Sequence, residues 1–134
     1  MEKIDNKIYP QEKSNPIKSF REVLAEVYEQ IEFDCLNKSG DAEQYREIVL
    51  IITEVLMLNP ASEIHIAGST IAVRMAQEVF RELRAEHIEY VVNCFNSVPY
   101  EIKSKKAYLR TSLYNAVFTF ANHVNNQYHK DSKG

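Results

Sequence analysis

Apolar residues recur every three or four positions along most of the chain, a spacing that places them on one face of an α-helix. The first such stripe consists of Ile17, Phe20, Leu24, Val27 and Ile31. Asn15 is a favoured N-cap residue, and Pro16 suits the first helical position because its missing N–H would have no partner there. The pattern therefore predicts a first helix that begins at Asn15 and ends before Lys38-Ser39-Gly40.

A second stripe follows a predicted N-cap at Asp41 and ends at Asn59-Pro60, a pair that stops a helix. Its inward positions are Tyr45, Ile48, Val49, Ile52, Val55 and Leu56, and the stripe is widened by Ile51 and Met57. Because apolar residues cover more than one side, we expect this helix to be buried on several sides.

The segment from Glu63 to Thr70 has a different period. Ile64 and Ile66 alternate with His65, and Gly68 supplies a turn, so a short β-hairpin is expected. Three helices are predicted after it: one capped by Thr70, one that begins near Glu86, and one capped by Ser104 that runs to about Val124. Their inward residues are Ile71, Met75, Val79, Phe80 and Leu83, then Ile88, Val91, Val92 and Phe95, then Leu109, Leu113, Val117 and Phe120. The predicted fold class is all-α, a compact domain of about five helices with a small β-hairpin insertion.

The length of 134 residues favours one domain. We expect a polar arm or linker at residues 1–14, the helical domain at 15–128 and a tail at 129–134. The longest unbroken apolar run, Ile48 to Ile52, is too short to cross a bilayer, and the charged N-terminus lacks the apolar stretch of a signal peptide. A cytoplasmic protein without a membrane partner is therefore predicted. Cys35 and Cys94 are far apart, which favours reduced thiols packed as small apolar groups.

The chain shows no sequence motif for catalysis or for a cofactor. Its histidines are not spaced as metal ligands, no hydroxyl lies in a nucleophile-elbow context, and the acidic residues follow the spacing of solvated helix faces. We therefore predict no catalytic residue, no metal ligand and no cofactor. A tight pocket lined by converging titratable groups would favour an enzyme instead.

A basic turn, residues 103–110, is the candidate for partner or DNA binding. Its proposed contact residues are Lys103, Lys105, Lys106, Tyr108 and Arg110, with Tyr100 and Tyr114 on either side. Lysines in the first turn oppose the helix dipole, and together with free N–H groups they suit an anion such as phosphate, while tyrosines could stack on unpaired bases. The alternative is a solvated basic turn, neutralised by Glu101 or by a neighbouring acidic helix, with the tyrosines as core or rim residues.

Five short segments carry a resemblance to a known family. They are IEFDCL (Ile31 to Leu36), EIVLIITEVL (Glu47 to Leu56), IHIAG (Ile64 to Gly68), EHIEYVVNC (Glu86 to Cys94) and KAYLRTSLYNA (Lys106 to Ala116). In order and spacing they resemble the C-terminal domain of RepA_N-type replication initiators of plasmids and integrated elements in low-GC Gram-positive bacteria. The resemblance covers residues 17 to 125.

The resemblance implies a DnaD-like helical domain that engages the host replication machinery, while a separate winged-helix domain binds the plasmid origin. The DnaD family has a Y-x3-I-x3-W pattern, of which this chain keeps only the tyrosine, with Tyr108, Ser112 and Ala116 at the three positions. We therefore expect a non-catalytic domain that docks onto a host replication protein, a primosome component, through the basic turn. The alternatives are a nucleic-acid-binding module that uses the same turn, and a self-association domain that uses an apolar face of the fourth or fifth helix.

Overall fold

The computed structural model describes residues 18–36 and 42–133, and for residues 121–133 it describes the helix without its side chains. The elements within these ranges are α1 (Phe20–Gln30), α2 (Phe33–Leu36), α3 (Ala42–Met57), β1 (Glu63–Ile66), β2 (Ser69–Ala72), α4 (Val73–Phe80), α5 (Ala85–Asn96) and α6 (Lys105–Lys133). The predicted helical domain with a small β-hairpin is confirmed, and α2 is an additional single turn. The arm at 1–14, the Asn15-Pro16 pair and the cap at Asp41 lie outside the described residues.

Helix α1 begins later than predicted. Its N-cap is Ser19, whose Oγ accepts the N–H of Glu22 at 3.1 Å while the Glu22 carboxylate accepts the N–H of Ser19 at 2.8 Å. This capping box satisfies two of the N–H groups that a helix start leaves without partners, so the predicted start at Asn15 is wrong. The buried face also differs, because Val23 and Val27 point inward while Phe20 is 44% exposed.

Helix α3 is the centre of the fold and packs against all five of the other helices named above. The prediction that it is buried on several sides is confirmed by its buried residues Tyr45, Ile48, Val49, Ile51, Ile52, Thr53 and Val55. Each fully buried isoleucine or valine contributes roughly 1.5–3 kcal/mol through the removal of apolar surface from water. Two apolar residues of α3 stay accessible, since Leu50 is 45% exposed and Met57 is 38% exposed. For Met57 the inward prediction is wrong.

Two glutamine side chains cap helix ends from neighbouring helices. The buried Gln77 of α4 donates from Nε2 to the carbonyls of Val55, Leu56 and Leu58 at 2.9–3.1 Å, at the C-terminal end of α3. Gln30 of α1 donates in the same way to carbonyls at the end of α4 and just beyond it, those of Phe80 and Leu83, both at 2.9 Å. The last carbonyls of a helix have no partner within the helix, and each of these carbonyls gains a hydrogen bond from a glutamine amide. The carbonyls of Val55 and Phe80 also accept the backbone N–H groups of Leu58 and Leu83.

The β-hairpin pairs Glu63 with Ala72 and Ile66 with Ser69 in an antiparallel register. Its turn residues Ala67 and Gly68 have φ values of 54° and 79°, the positive values that a type I′ turn requires at both positions. Thr111 of α6 holds this turn, because its Oγ1 accepts the N–H of Ala67 at 3.2 Å. The second strand ends at Ala72, two residues beyond the predicted segment.

The last three helices match the prediction in number and differ in detail. Thr70 lies in β2, so the predicted cap is wrong, and α4 begins at Val73 without a side-chain cap. Met75 was expected inside and is 55% exposed, because α4 turns Val73, Ala76, Gln77 and Phe80 inward instead. Helix α6 continues past Val124 to Lys133.

Both cysteines are free and exposed, which corrects the expectation that they pack inside. Cys35 follows Asp34 on the outer side of α2, whose buried residues are Phe33 and Leu36. Cys94 lies on the face of α5 that the buried residues Val91 and Val92 leave outside. Among the described residues, no helix combines the length and the apolar character needed to cross a membrane.

Candidate docking surface

The basic turn lies where the long helix α6 starts. Ser104 is the predicted N-cap, and this is confirmed: α6 begins at Lys105, and Ser104 Oγ accepts the N–H of Ala107 at 3.3 Å. Lys105 and Lys106 therefore occupy the first turn, where the partial positive charge of the helix end disfavours cations. Such a placement requires compensation from elsewhere in the fold.

The compensation comes from α3. Lys105 Nζ lies 2.8 Å from Glu47 Oε1, and Lys106 Nζ lies 2.7 Å from Glu54 Oε1. The two carboxylates are about two turns apart on α3, so they form one acidic line along α6. Lys105 Nζ also lies 5.3 Å from the ring centroid of Phe95, within the range of a cation–π contact. The interpretation of a basic turn neutralised by an acidic helix therefore holds for these two lysines.

The other proposed contact residues have different surroundings. Lys103 is exposed and forms no ion pair with the described residues. Arg110 is half-buried, and its Nε is buried without a hydrogen-bond partner in that part of the chain. Tyr108 is half-buried with its ring 5.7 Å from that of Phe95, which makes it a rim residue. The structure therefore brings Lys105, Lys106 and Tyr108 together beside α3 and α5.

The flanking tyrosines are less closely connected to this turn. Tyr100 is 66% exposed in the loop before α6. Tyr114 packs against the core and lies 5.5 Å from the ring of Phe118 on its own helix. Of the two, Tyr100 has the exposure that stacking on a flat ligand would need.

A groove separates α3 from the start of α6, and we call it the α3–α6 groove. Its volume is about 180 Å³, and it is lined by Glu47, Leu50, Ile51, Glu54, Lys105, Lys106 and Leu109. Leu50 is the exposed apolar side chain between the two ion pairs. The groove therefore combines an apolar floor with a charged rim.

Sequence reasoning missed Leu50 as a contact residue, although it did not place Leu50 among the inward positions of this helix. A signal was nevertheless present. Leu50 stands three residues after Glu47 and four before Glu54, so all three share one helical face. Two carboxylates on that face indicate that the face is exposed to solvent. The leucine between them is therefore expected to be exposed as well.

His87 is the histidine with the most specific environment in the described part of the chain. Its Nδ1 accepts the backbone N–H of Arg84 at 2.9 Å, at the start of α5, and its ring packs edge-on against Phe120 with centroids 5.1 Å apart. Burial lowers the pKa of His87 below its usual 6.5, and Arg84 lowers it further while Glu86 and Glu82 oppose the shift. A ring that accepts a backbone hydrogen bond serves as a helix cap.

The remaining titratable groups whose side chains the structure describes form no centre for a metal. His65 is exposed on β1, with Nδ1 3.3 Å from Thr70 Oγ1, and the side chains of His123 and His129 lie outside the described residues. Within residues 18–36 and 42–120, no three His, Cys, Asp or Glu side chains are grouped so that they could hold a metal ion.

Comparison with known proteins gives one match. A family model described as "Family of unknown function (DUF6017)" matches residues 9–134. No curated protein and no solved structure matches the chain. The description of this family names no activity, substrate or partner.

Proposed function

We propose that this chain, which belongs to the DUF6017 family, is a non-catalytic docking domain of a plasmid or mobile-element replication initiator. In this proposal it contacts a host replication protein of the primosome through the α3–α6 groove and the adjoining basic turn. The resemblance to the C-terminal domain of RepA_N-type initiators supports the replication context. The groove supports the docking role.

Leu50 is the observation that carries the proposal. A single exposed leucine is ordinary on a protein surface. Here, however, Leu50 is 45% exposed at the centre of a concave surface, with a lysine–glutamate pair on each side. An apolar centre inside a polar rim is the usual arrangement of a protein–protein interface, in which a few central residues contribute most of the binding free energy.

The charges around the groove favour a protein partner over nucleic acid. Lys105 and Lys106 each have a carboxylate within 2.8 Å, and a phosphate would have to displace it. The chain as a whole has a net charge of −3, so no general positive field attracts DNA. A protein can instead add its own carboxylates and amines to the two existing pairs, which sets orientation and association rate.

This proposal can be tested by calorimetry, in which the full chain is titrated with purified host primosome proteins one at a time. We expect Leu50→Arg to weaken the bound complex by about tenfold or more, because it places a charge in the apolar centre. Met75→Arg is the matched control, since Met75 is 55% exposed on α4 and does not line the groove. The control should change affinity by less than about twofold.

Four outcomes would contradict the proposal. The first is no binding to any primosome protein, and the second is equal weakening by both variants. The third is binding of DNA oligonucleotides that falls steeply with salt and is lost in Lys105→Glu/Lys106→Glu, which would assign the turn to nucleic acid. The fourth is a concentration-dependent dimer that Leu50→Arg abolishes, which would assign the groove to a second copy of the chain.

A further inference from the structure

A second concave surface lies where α1, the C-terminal end of α3 and the α4–α5 junction meet, and we call it the α1–α4 cleft. Its volume is about 910 Å³, and it shares no lining residue with the α3–α6 groove. Cavities that hold ligands are usually about 300–1,000 Å³, so this one is large enough for several side chains of a bound segment. Neither the sequence resemblance nor the proposed function assigns it a role.

The walls of the cleft are held in place by hydrogen bonds from two glutamine side chains. Gln77 binds three carbonyls at the end of α3, and Gln30 binds two carbonyls at the end of α4 and beyond it. Both glutamines line the cleft. Because these contacts join α1, α3 and α4, the cleft is formed before any partner arrives, which lowers the entropic cost of binding.

The cleft carries a charge opposite to that of the whole chain. Lys18, Arg81 and Arg84 line it together with one carboxylate, Glu26, although the chain has a net charge of −3. Lys18 and Glu26 neutralise each other through a contact of 2.6 Å. The two arginines therefore supply the net positive charge.

The arginines differ in how they are held. Arg84 Nη1 donates to the carbonyls of Arg81 and Leu83 at 2.9 and 2.8 Å, so its guanidinium group is already oriented and keeps further N–H groups for a ligand. Arg81 is exposed and pairs with no carboxylate in the described part of the chain. An oriented arginine beside an unpaired one suits carboxylates, which guanidinium groups bind through two parallel hydrogen bonds.

The floor between these charges is apolar. Met57 and Leu58 are each 38% exposed and lie in the cleft beside Pro60. Methionine adapts its shape to different partners because its side chain is unbranched and polarizable. The apolar floor and the arginine rim are together complementary to a peptide segment that has leucine-like residues on one face and acidic residues beside them.

We propose that the α1–α4 cleft binds an acidic amphipathic peptide segment of a partner protein. The apolar face of the segment lies on Met57 and Leu58, and its carboxylates pair with Arg81 and Arg84. A nucleic-acid backbone fits less well, because it has no apolar face to cover Met57 and Leu58. This inference does not depend on the proposed replication role, since it concerns a separate surface.

The test uses the full chain and a fluorescein-labelled amphipathic peptide of roughly 15 residues, with leucines on one helical face and glutamates beside them. Fluorescence anisotropy measures its affinity against a counterpart in which every glutamate is glutamine. We expect Arg81→Glu to weaken binding of the acidic peptide by about fivefold or more, and the glutamine peptide to bind more weakly by a similar factor. Glu26→Gln should act in the opposite direction and strengthen binding about twofold, because it removes the single acidic group.

Arg74→Glu is the matched control, since Arg74 is exposed on the same helix as Gln77 and does not line the cleft. It makes the same change in net charge and should alter affinity by less than about twofold. Thermal unfolding checks that each variant folds. Arg81→Gln replaces Arg81→Glu if the charge reversal unfolds the chain, with a weakening of about threefold expected.

The proposal is overturned by any of four results. Equal weakening by the Arg81 and Arg74 variants would show that only net charge matters. Equal affinity for the acidic and glutamine peptides would show that the carboxylates are not recognised. No saturable binding up to about millimolar peptide would show that the cleft does not bind such a segment. Tighter binding of a labelled DNA oligonucleotide that Arg81→Glu abolishes would assign the cleft to nucleic acid.

Discussion

Polar contacts hold helix α3 against its neighbours in two regions that differ in their exposure to water. At the C-terminal end of α3, Gln77 is 5% exposed and its amide donates to three carbonyls. Along its outer face, Glu47 and Glu54 pair with Lys105 and Lys106, whose side chains and carboxylates are 43–56% exposed. The two regions stabilise the same helix by contacts of very different strength.

The difference follows from what replaces each contact when it is broken. The carbonyls that Gln77 contacts are partly or fully buried and have limited access to water, so loss of the amide costs about 1–3 kcal/mol for a group left unpaired. A surface carboxylate that loses its lysine is solvated at once, and such pairs contribute about 0.2–1 kcal/mol. The buried region therefore determines stability. The exposed region can exchange its partners, and this makes it suitable for docking.

Substitution of Gln77 by methionine tests the region whose contacts are expected to contribute more to stability. We expect Gln77→Met to lower the free energy of unfolding by about 1–3 kcal/mol, because it keeps the size of the side chain and removes three hydrogen bonds to partly or fully buried carbonyls. Gln44→Met is the matched control, since the Gln44 amide pairs with Asn96 on the surface. Its effect in urea unfolding should stay below about 1 kcal/mol. Equal losses in the two variants would show that burial does not separate these contacts.

His87 is half-buried, so its exposure lies between that of Gln77 and that of the two ion pairs. Its contribution to stability depends on pH. Burial lowers the pKa of His87 in the folded chain, so below about pH 6.5 the unfolded chain takes up the proton more readily than the folded one. Its stabilising contribution is therefore complete above about pH 6.5 and declines as the pH falls from there towards the folded pKa.

His87→Gln tests this dependence, because a glutamine oxygen can accept the same Arg84 N–H without titrating. We expect the urea midpoint of the native chain to fall more steeply between about pH 7 and about pH 5.5 than that of the variant. The other histidines and the carboxylates titrate in both proteins, so the difference between the two curves reports His87. Parallel curves would show that His87 does not contribute to the pH dependence of stability.

Neutralising the two carboxylates tests the weaker side of the comparison. Glu47→Gln and Glu54→Gln should each lower the free energy of unfolding by about 0.2–1 kcal/mol. The loss should shrink in about 1 M salt, where the Debye length is roughly 3 Å and exposed pairs are screened in the native chain as well. A loss as large as that of Gln77→Met, unchanged by salt, would contradict the assignment of these pairs to an exchangeable surface.

The features that could be predicted are those that neighbouring residues determine. The Ser104 cap depends on a hydroxyl and an N–H three residues apart. The hairpin depends on the alternation of Ile64 and Ile66 and on a turn at Gly68. The existence and approximate position of α3, α5 and α6 follow from apolar periodicity in the same way.

The features that could not be predicted depend on which elements meet. Periodicity indicated that α4 has an apolar face, but not that its Met75 would remain 55% exposed. The basic turn was visible in the sequence, while its two acidic partners lie more than fifty positions away on α3. The α1–α4 cleft is a further case, since Lys18 and Arg84 come from elements far apart in the chain.

The sequence by itself determined that this chain forms amphipathic helices around a small hairpin, because hydrogen bonds and caps act over a few residues. The tertiary structure alone decided which charges are neutralised, which apolar side chains stay exposed and where concave surfaces form. Those properties depend on distances between helices, and such distances follow from the packing of the whole core.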